Sequence, residues 1–337
     1  MKFLQFLAAA FIVMTASTAL AQPATFSTHD GKIYAPDRVE FIARGINIRP
    51  EDMVTVARTV TTLFPGINFI RLAIDNGTYP TPAKLESFVT QMTAQHIVVA
   101  IENHPWPSPG TYKGAKLEAE SKWYASLAEA FKNNPYVWFG TMNEPSATPY
   151  GPALAAITVQ QVATYDAIRG TGSQAIILLE LNGGGNPGSV GAAFGMTASA
   201  YARMTNIVWD VHYYGWSSKF STDPRAVNAM LTGSAEGGYG IEAAQTIRGA
   251  AGTVPVIIGE FGDSTDGTKV DPNGRQVVEA VLNSGYGFAA WAWESETAGD
   301  RLTIHGELTP FGHRVAAGIS AAATEERFRR LRTRSSN

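Results

Sequence analysis

The stretch Asn68-Phe-Ile-Arg-Leu-Ala73, then Thr81-Pro82, then Ile97-Val-Val-Ala-Ile-Glu102 decides the fold. Its two apolar runs have the length of strands. Between them Leu85, Phe88, Val89 and Met92 recur at i, i+3, i+4 and i+7, which is one face of a helix. Thr81 stands at the N-cap position of that helix, with proline in the first turn behind it. Strand, helix, strand with nearly continuous apolar strands implies a parallel sheet covered by helices.

The same alternation extends in both directions. Residues 39–47 read as a strand before this unit, and residues 137–142, 175–179, 207–213, 256–260 and 288–293 read as strands after it. Residues 118–131 repeat the helical face with Trp123, Leu127 and Phe131, and Pro135 follows. Eight strands in this order predict a closed (β/α)8 TIM barrel of the α/β class rather than an open sheet. Upstream, Asp30-Gly31 marks the turn of a short N-terminal hairpin. No Gly-x-Gly-x-x-Gly opens a helix after the first strand, so a dinucleotide-binding sheet lacks its signature.

Composition narrows the function classes. The chain of 337 residues has no cysteine, which excludes disulfides and thiolate metal sites. Its formal charge of −3 gives no reason to expect a nucleic-acid partner. Charged residues make up 16% of the chain, below the usual quarter, so the surface should be rich in hydroxyl and amide groups suited to neutral, hydroxylated partners. Met1-Lys2, an apolar stretch and a closing Ala19-Leu20-Ala21 have the layout of a signal peptide over residues 1–21, cut between Ala21 and Gln22. The mature chain is therefore expected in a periplasm or outside the cell. No later run is long and apolar enough for a membrane span. The expected state is a monomer.

In a barrel of this kind the reactive groups lie at the C-terminal ends of the strands. Those ends read Arg71 on the second strand, Glu102-Asn103-His104 on the third, Asn143-Glu144-Pro145 after the fourth, His212-Tyr213-Tyr214 on the sixth, Gly259-Glu260-Phe261-Gly262 on the seventh and Trp291-Ala292-Trp293 on the eighth. Two glutamates where buried strands emerge into a cleft offer a general acid and a nucleophile. Taken singly, either glutamate is more often a salt-bridge partner or a helix cap. Arg71 on an apolar strand can merely neutralise a buried carboxylate. His104 and His212 can ligate a metal, but no third ligand is closely spaced with them, and no metal or other cofactor is expected. Asn182-Gly-Gly-Gly-Asn186 lacks the Gly-Lys-Ser/Thr ending of a phosphate loop and reads as a plain loop. Trp123, Trp138 and Trp209 fall inside helix or strand patterns and read as core, whereas Trp293 shares its strand parity with Trp291.

Together these strand ends resemble the cellulase family of glycoside hydrolases, family five, over nearly the whole mature chain. Asn143-Glu144-Pro145 is the most specific piece, in order with His212-x-Tyr214 and Gly259-Glu260-Phe261-Gly262. The resemblance implies that Glu144 is the acid/base and Glu260 the nucleophile of a retaining mechanism, with Arg71, His104, Asn143, His212, Tyr214 and Trp291 in support. The third strand departs from many relatives in reading Glu-Asn-His, which leaves the part of Glu102 open. Retention needs one protonated and one ionised carboxyl about 5–5.5 Å apart. Arg71 would keep Glu260 ionised, and the charge on Glu260 would favour a protonated Glu144. Asn143 would bind the sugar 2-hydroxyl, Tyr214 would orient the nucleophile, and His104 and His212 would meet hydroxyls on either side of the cut. Trp291, with Trp293, Trp106 and Trp216, would form an aromatic platform for a polymer.

The expected plan is a signal peptide at 1–21, a catalytic barrel at 22–323 and a basic tail at 324–337, where five arginines fall within residues 327–334. That tail is expected to be solvated. The leading expectation is a secreted endo-β-1,4-glucanase. An endo-β-1,4-mannanase is the alternative within enzymes, on the strength of Arg71-Leu-Ala-Ile-Asp-Asn76-Gly77, and a non-catalytic polysaccharide-binding protein is the alternative outside them.

Overall fold

The computed structural model describes residues 24–75, 77–105, 110–146, 155–185, 196–214, 240–263, 274–295 and 299–335. The signal segment, Trp106 and Trp216 lie outside these residues, as does Asn76. Among the described residues no helix is long and apolar enough to cross a membrane.

Eight parallel strands close into a barrel. They are β3 (Arg44–Ile48), β4 (Phe69–Asp75), β5 (Val98–His104), β6 (Val137–Gly140), β7 (Ile177–Glu180), β8 (Ile207–Tyr213), β9 (Val256–Phe261) and β10 (Gly287–Ala290), with β10 paired back to β3. Helices lie between them, as the alternation predicts. In Pro82–Thr93 the buried residues are Leu85, Phe88, Val89 and Met92, the four expected. In Ala115–Phe131 Trp123 and Leu127 are buried, and Phe131 packs at the edge of the core.

The first strand is shorter than its apolar run. Phe41 donates its N–H to the carbonyl of Ile33, and Glu40 bridges to Tyr34. Residues 39–42 thus extend the hairpin β1 (Ser27–His29) and β2 (Lys32–Tyr34), and the barrel strand begins only at Arg44. This hairpin closes the N-terminal end of the barrel. Phe26 and Phe41 meet edge to face at 5.1 Å, and Phe26 meets Trp138 in the same way at 5.1 Å. Around them Phe69, Val98, Leu178, Val208 and Ile257 fill the lower interior. The larger apolar layer lies outside the barrel, between strands and helices, and holds Trp123 and Trp209.

Two expectations change. Trp293 lies beyond the end of β10, so strand parity no longer ties it to Trp291. It is buried against Phe64 in the outer core layer and is not part of an aromatic platform. The C-terminal residues do not form a loose tail, because the last helix runs from Pro310 to Ser335. Glu326 pairs with the buried Arg44 at 2.5 Å, and Arg330 bridges Glu326 and Asp37.

Candidate active site

Alternation along the strands fills the upper interior with polar side chains. On β4, Ile70, Leu72 and Ile74 pack outward and Phe69 packs inward, so Arg71 points inward above Phe69. On β5, Val98 and Ala100 are followed on the same face by Glu102 and His104. On β8, Val208 is followed by Asp210 and His212. β9 needs a correction to the simple period. Its pairing with β8 shifts so that Val211 faces Ile258 but His212 faces Glu260. The extra residue is Gly259, a bulge that turns Glu260 into the barrel, while Phe261 returns to the outer layer. A side chain at Gly259 would collide with the Asp210 carboxylate, and one at Gly140 would collide with Glu102.

Arg71 is the hub, with no exposed surface. Its Nε donates to Glu102 Oε2 at 2.9 Å, and one terminal nitrogen completes a forked contact with Glu102 Oε1. The other terminal nitrogen reaches Glu260 Oε1 at 2.5 Å and Asn47 Oδ1 at 3.0 Å. The first also donates to Asn143 Oδ1 at 2.9 Å and to Glu180 Oε1 at 2.8 Å. Asp210 stands 3.3 Å from Nε.

Glu260 is almost enclosed. Its Oε1 also meets His104 Nε2 at 3.1 Å, and its Oε2 accepts from the Tyr214 hydroxyl at 2.9 Å. Burial opposes its charge, but His212, Arg71 and His104 outweigh burial and hold its pKa well below the usual carboxylate range. Glu144 is more open, its side chain 22% exposed, and its Oε1 lies 2.7 Å from His212 Nδ1. One oxygen of Glu144 and one of Glu260 lie within 4.8 Å of each other and of a His212 nitrogen. His212 loses from burial, yet Glu260, Glu180 and Glu144 raise its pKa well above the ordinary imidazole value.

The other residues singled out in the sequence gather around the two glutamates. His104 stacks on Trp291 at 4.7 Å and 13°, and the Arg49 guanidinium lies 5.9 Å from the same ring. His104 therefore links Glu260 to the Trp291 ring. Asn143 is buried, held by Arg71 at its side-chain oxygen and by the carbonyl of Asn103 at its N–H. Asn103 is braced in turn by the buried Glu120, at 2.7 Å.

Sequence reasoning missed Glu180, Asp210, Asn47 and Glu120, and left Glu102 open. For Glu102 and Asp210 the available signal was a charged residue on the inward parity of an apolar strand, two places before His104 or His212; Glu180, Asn47 and Glu120 carry no such mark. These carboxyls share one arginine, so they cannot all ionise. Burial raises Glu102 well above its usual range, raises Asp210, and raises Glu180 to about 8. Glu144, His212 and Glu260, or Glu180, Asp210 and His212, offer donor atoms close enough for a cation. The Arg71 guanidinium already contacts Glu180, Asp210 and Glu260, and such a contact suits protons better than a second cation.

A closed (β/α)8 barrel with two carboxylates facing each other across its mouth has the form of a glycoside hydrolase. The chain belongs to the family described as Cellulase (glycosyl hydrolase family 5), whose profile matches residues 53–297. It is 22% identical to a mannan endo-1,4-beta-mannosidase of Streptomyces lividans, over 94% of this chain and 80% of that one. Among solved structures it resembles the catalytic domain of a mannanase from Streptomyces sp. SirexAA-E, with a TM-score of 0.65 and 21% identity over 91% of this chain and 94% of the other. It also resembles a beta-glucanase from Saccharophagus degradans solved with cellotetraose, with a TM-score of 0.66 and 15% identity over 89% and 94%.

Proposed function

We propose that this chain is a retaining endo-β-1,4-glycanase that works outside the cytoplasm, with Glu260 as nucleophile and Glu144 as acid/base. The observation that carries the reading is that one oxygen of each carboxyl lies within 4.8 Å of the other, which accords with the retaining separation of about 5–5.5 Å. Their surroundings divide the roles. Glu260 is buried and held ionised by cations, whereas Glu144 is partly open and paired with a histidine.

Glu260 attacks the anomeric carbon while Glu144 gives its proton to the departing glycosidic oxygen, so the C–O bond breaks as the ester forms. Oε1 of Glu260 is held by Arg71 and His104, which makes Oε2, oriented by Tyr214, the attacking atom. Esterification removes a negative charge from the site. Glu144, now anionic, takes a proton from water as that water attacks the anomeric carbon, so the bond between that carbon and Glu260 breaks and the Glu260 carboxylate is restored. The side-chain oxygen of Asn143 is engaged by Arg71, so its amide nitrogen is the end offered to a sugar 2-hydroxyl. The Met1–Ala21 segment supports export.

For the sugar, the relative along most of the chain is a mannanase, and this favours β-1,4-mannan. The His212-Tyr213-Tyr214 reading and the glucanase folds support β-1,4-glucan as the second substrate. A panel of mannan, glucomannan, mixed-linkage glucan, a soluble cellulose derivative and xylan separates them by reducing-end release. Glu260→Ala should bind glycan and release almost no reducing ends, and undiminished hydrolysis would sink the assignment. Product stereochemistry by NMR is the second check, because initial inversion is incompatible with a nucleophilic Glu260.

A further inference from the structure

Glu180 closes β7 with almost no exposed surface and has no part in the chemistry above. Both of its oxygens are nevertheless engaged at the site. Oε2 accepts the backbone N–H of Glu144 at 2.7 Å, and Oε1 accepts from Arg71 at 2.8 Å. Its main-chain carbonyl is fixed by Gln161 at 2.5 Å.

The first of these bonds falls on an unusual piece of backbone. Glu144 has φ +41°, in the left-handed region that residues other than glycine adopt only at a cost. Such a conformation persists only where its surroundings hold it. The side chain of the same residue bonds to His212 Nδ1, and His212 Nε2 lies 3.6 Å from Glu180 Oε1. Glu180 therefore touches the acid/base from both ends, through its N–H directly and through its histidine partner. It also shares Arg71 with the nucleophile.

Resting on the roles proposed above for Glu144 and Glu260, we infer that Glu180 is a positioning residue, which locks the Glu144 backbone in its left-handed turn and so aims the acid at the glycosidic oxygen. A purely neutralising part explains less. Arg71 already has a forked contact with Glu102 and a second partner in Glu260, and neutralisation does not require Glu180 to bond the Glu144 N–H. An amide at 180 can accept only through its oxygen, so Glu180→Gln loses either the Arg71 bond or the Glu144 bond. Glu180→Asp keeps a charge near Arg71 but draws the carboxylate back from the Glu144 N–H.

Leaving-group dependence tests this. A 2,4-dinitrophenyl β-disaccharide, cellobioside or mannobioside according to the polysaccharide panel, needs no proton to leave, whereas an oligosaccharide does. Glu180→Gln should lower kcat/KM on the oligosaccharide by about 10- to 100-fold with little change in KM, and leave kcat/KM on the aryl glycoside within about threefold. Equal losses on both substrates, or no loss on either, overturn the inference. If Glu180→Gln does not fold, Glu180→Asp must show the same split. Failure of both to fold assigns the residue to stability and also overturns it. Glu144→Gln runs alongside and should show the split more strongly. If it shows none, the acid role of Glu144 fails, and that result is separate from the outcome at 180.

Discussion

Phe69 and Arg71 are two residues apart on one strand and face the same interior, yet they belong to opposite kinds of core. Below, Phe26, Phe41 and Trp138 pack edge to face under the hairpin and Phe69 lies tilted against Trp138, with no charged group among them. Above, Arg71, Glu102, Glu180, Asp210 and Glu260 occupy the equivalent space, all nearly shielded from water. One rail of side chains changes character within a single step on β4, β5 and β8. The lower half is held by non-directional burial, which tolerates conservative exchange. The upper half is held by charges whose desolvation is repaid only by complete pairing, so its geometry is specified atom by atom.

Five measurements can break or sharpen this contrast. The largest effect is expected at Glu260, the proposed nucleophile. Glu260→Ala should lower kcat by at least about 10⁴-fold while circular dichroism shows a folded chain. Next, Arg71→Met should destabilise by about 3–5 kcal/mol in urea unfolding, because it strands several carboxyls in the interior, and activity should vanish with it. Trp138→Ala, at the other end, should cost about 3–5 kcal/mol through the cavity it leaves. The folded fraction of Trp138→Ala should keep the parental kcat. A loss of kcat at Trp138 comparable to that at Arg71 would erase the distinction between the two halves.

The fourth test uses pH. Burial raises Glu120 from 4.5 to about 7, so the folded chain keeps a proton there that the unfolded chain releases. Its contribution to stability is complete below about pH 4.5 and is lost as pH rises towards 7, a change of order 1–3 kcal/mol. Glu180, raised to about 8, acts in the same direction and extends the loss to higher pH. Glu260 has the opposite sign, since its depressed pKa stabilises above the ordinary carboxylate value and is lost in acid. The melting temperature should therefore fall between pH 5 and 7.5, and Glu120→Gln should flatten that fall. The smallest effect is expected outside both halves. Glu326→Ala leaves the buried Arg44 short of its carboxylate and should cost about 1–3 kcal/mol with unchanged kcat.

The fold was legible because strand and helix periods alternate from residue 39 onward, and each of the eight barrel strands overlaps one of those runs. Glu144, Glu260, His104, Asn143, His212 and Tyr214 could be found because each stands at or near a strand end, and Arg71 because it is a charge inside an apolar strand; the structure brings them into one cluster. Glu180 and Asp210 could not be weighed in the same way. A carboxylate on an apolar strand acquires its partner only when closure brings β4, β5, β7 and β8 around one arginine, and no spacing along the chain encodes that meeting. The bulge at Gly259 was hidden too, since a one-residue slip leaves no mark on an apolar run. Trp293 misled because strand parity holds only while the strand lasts.

The hairpin at the base has a consequence for the order of folding. The N–H of Thr28 bonds to Asn206, and that of Gly31 bonds to the carbonyl of Thr253, positions made much later in synthesis. These contacts can form only after the chain has come round through the sixth and seventh barrel strands. Until then Phe26 and Ile33 have no cavity to enter, so a fluorescent probe in the hairpin would report ring closure as a late, single event.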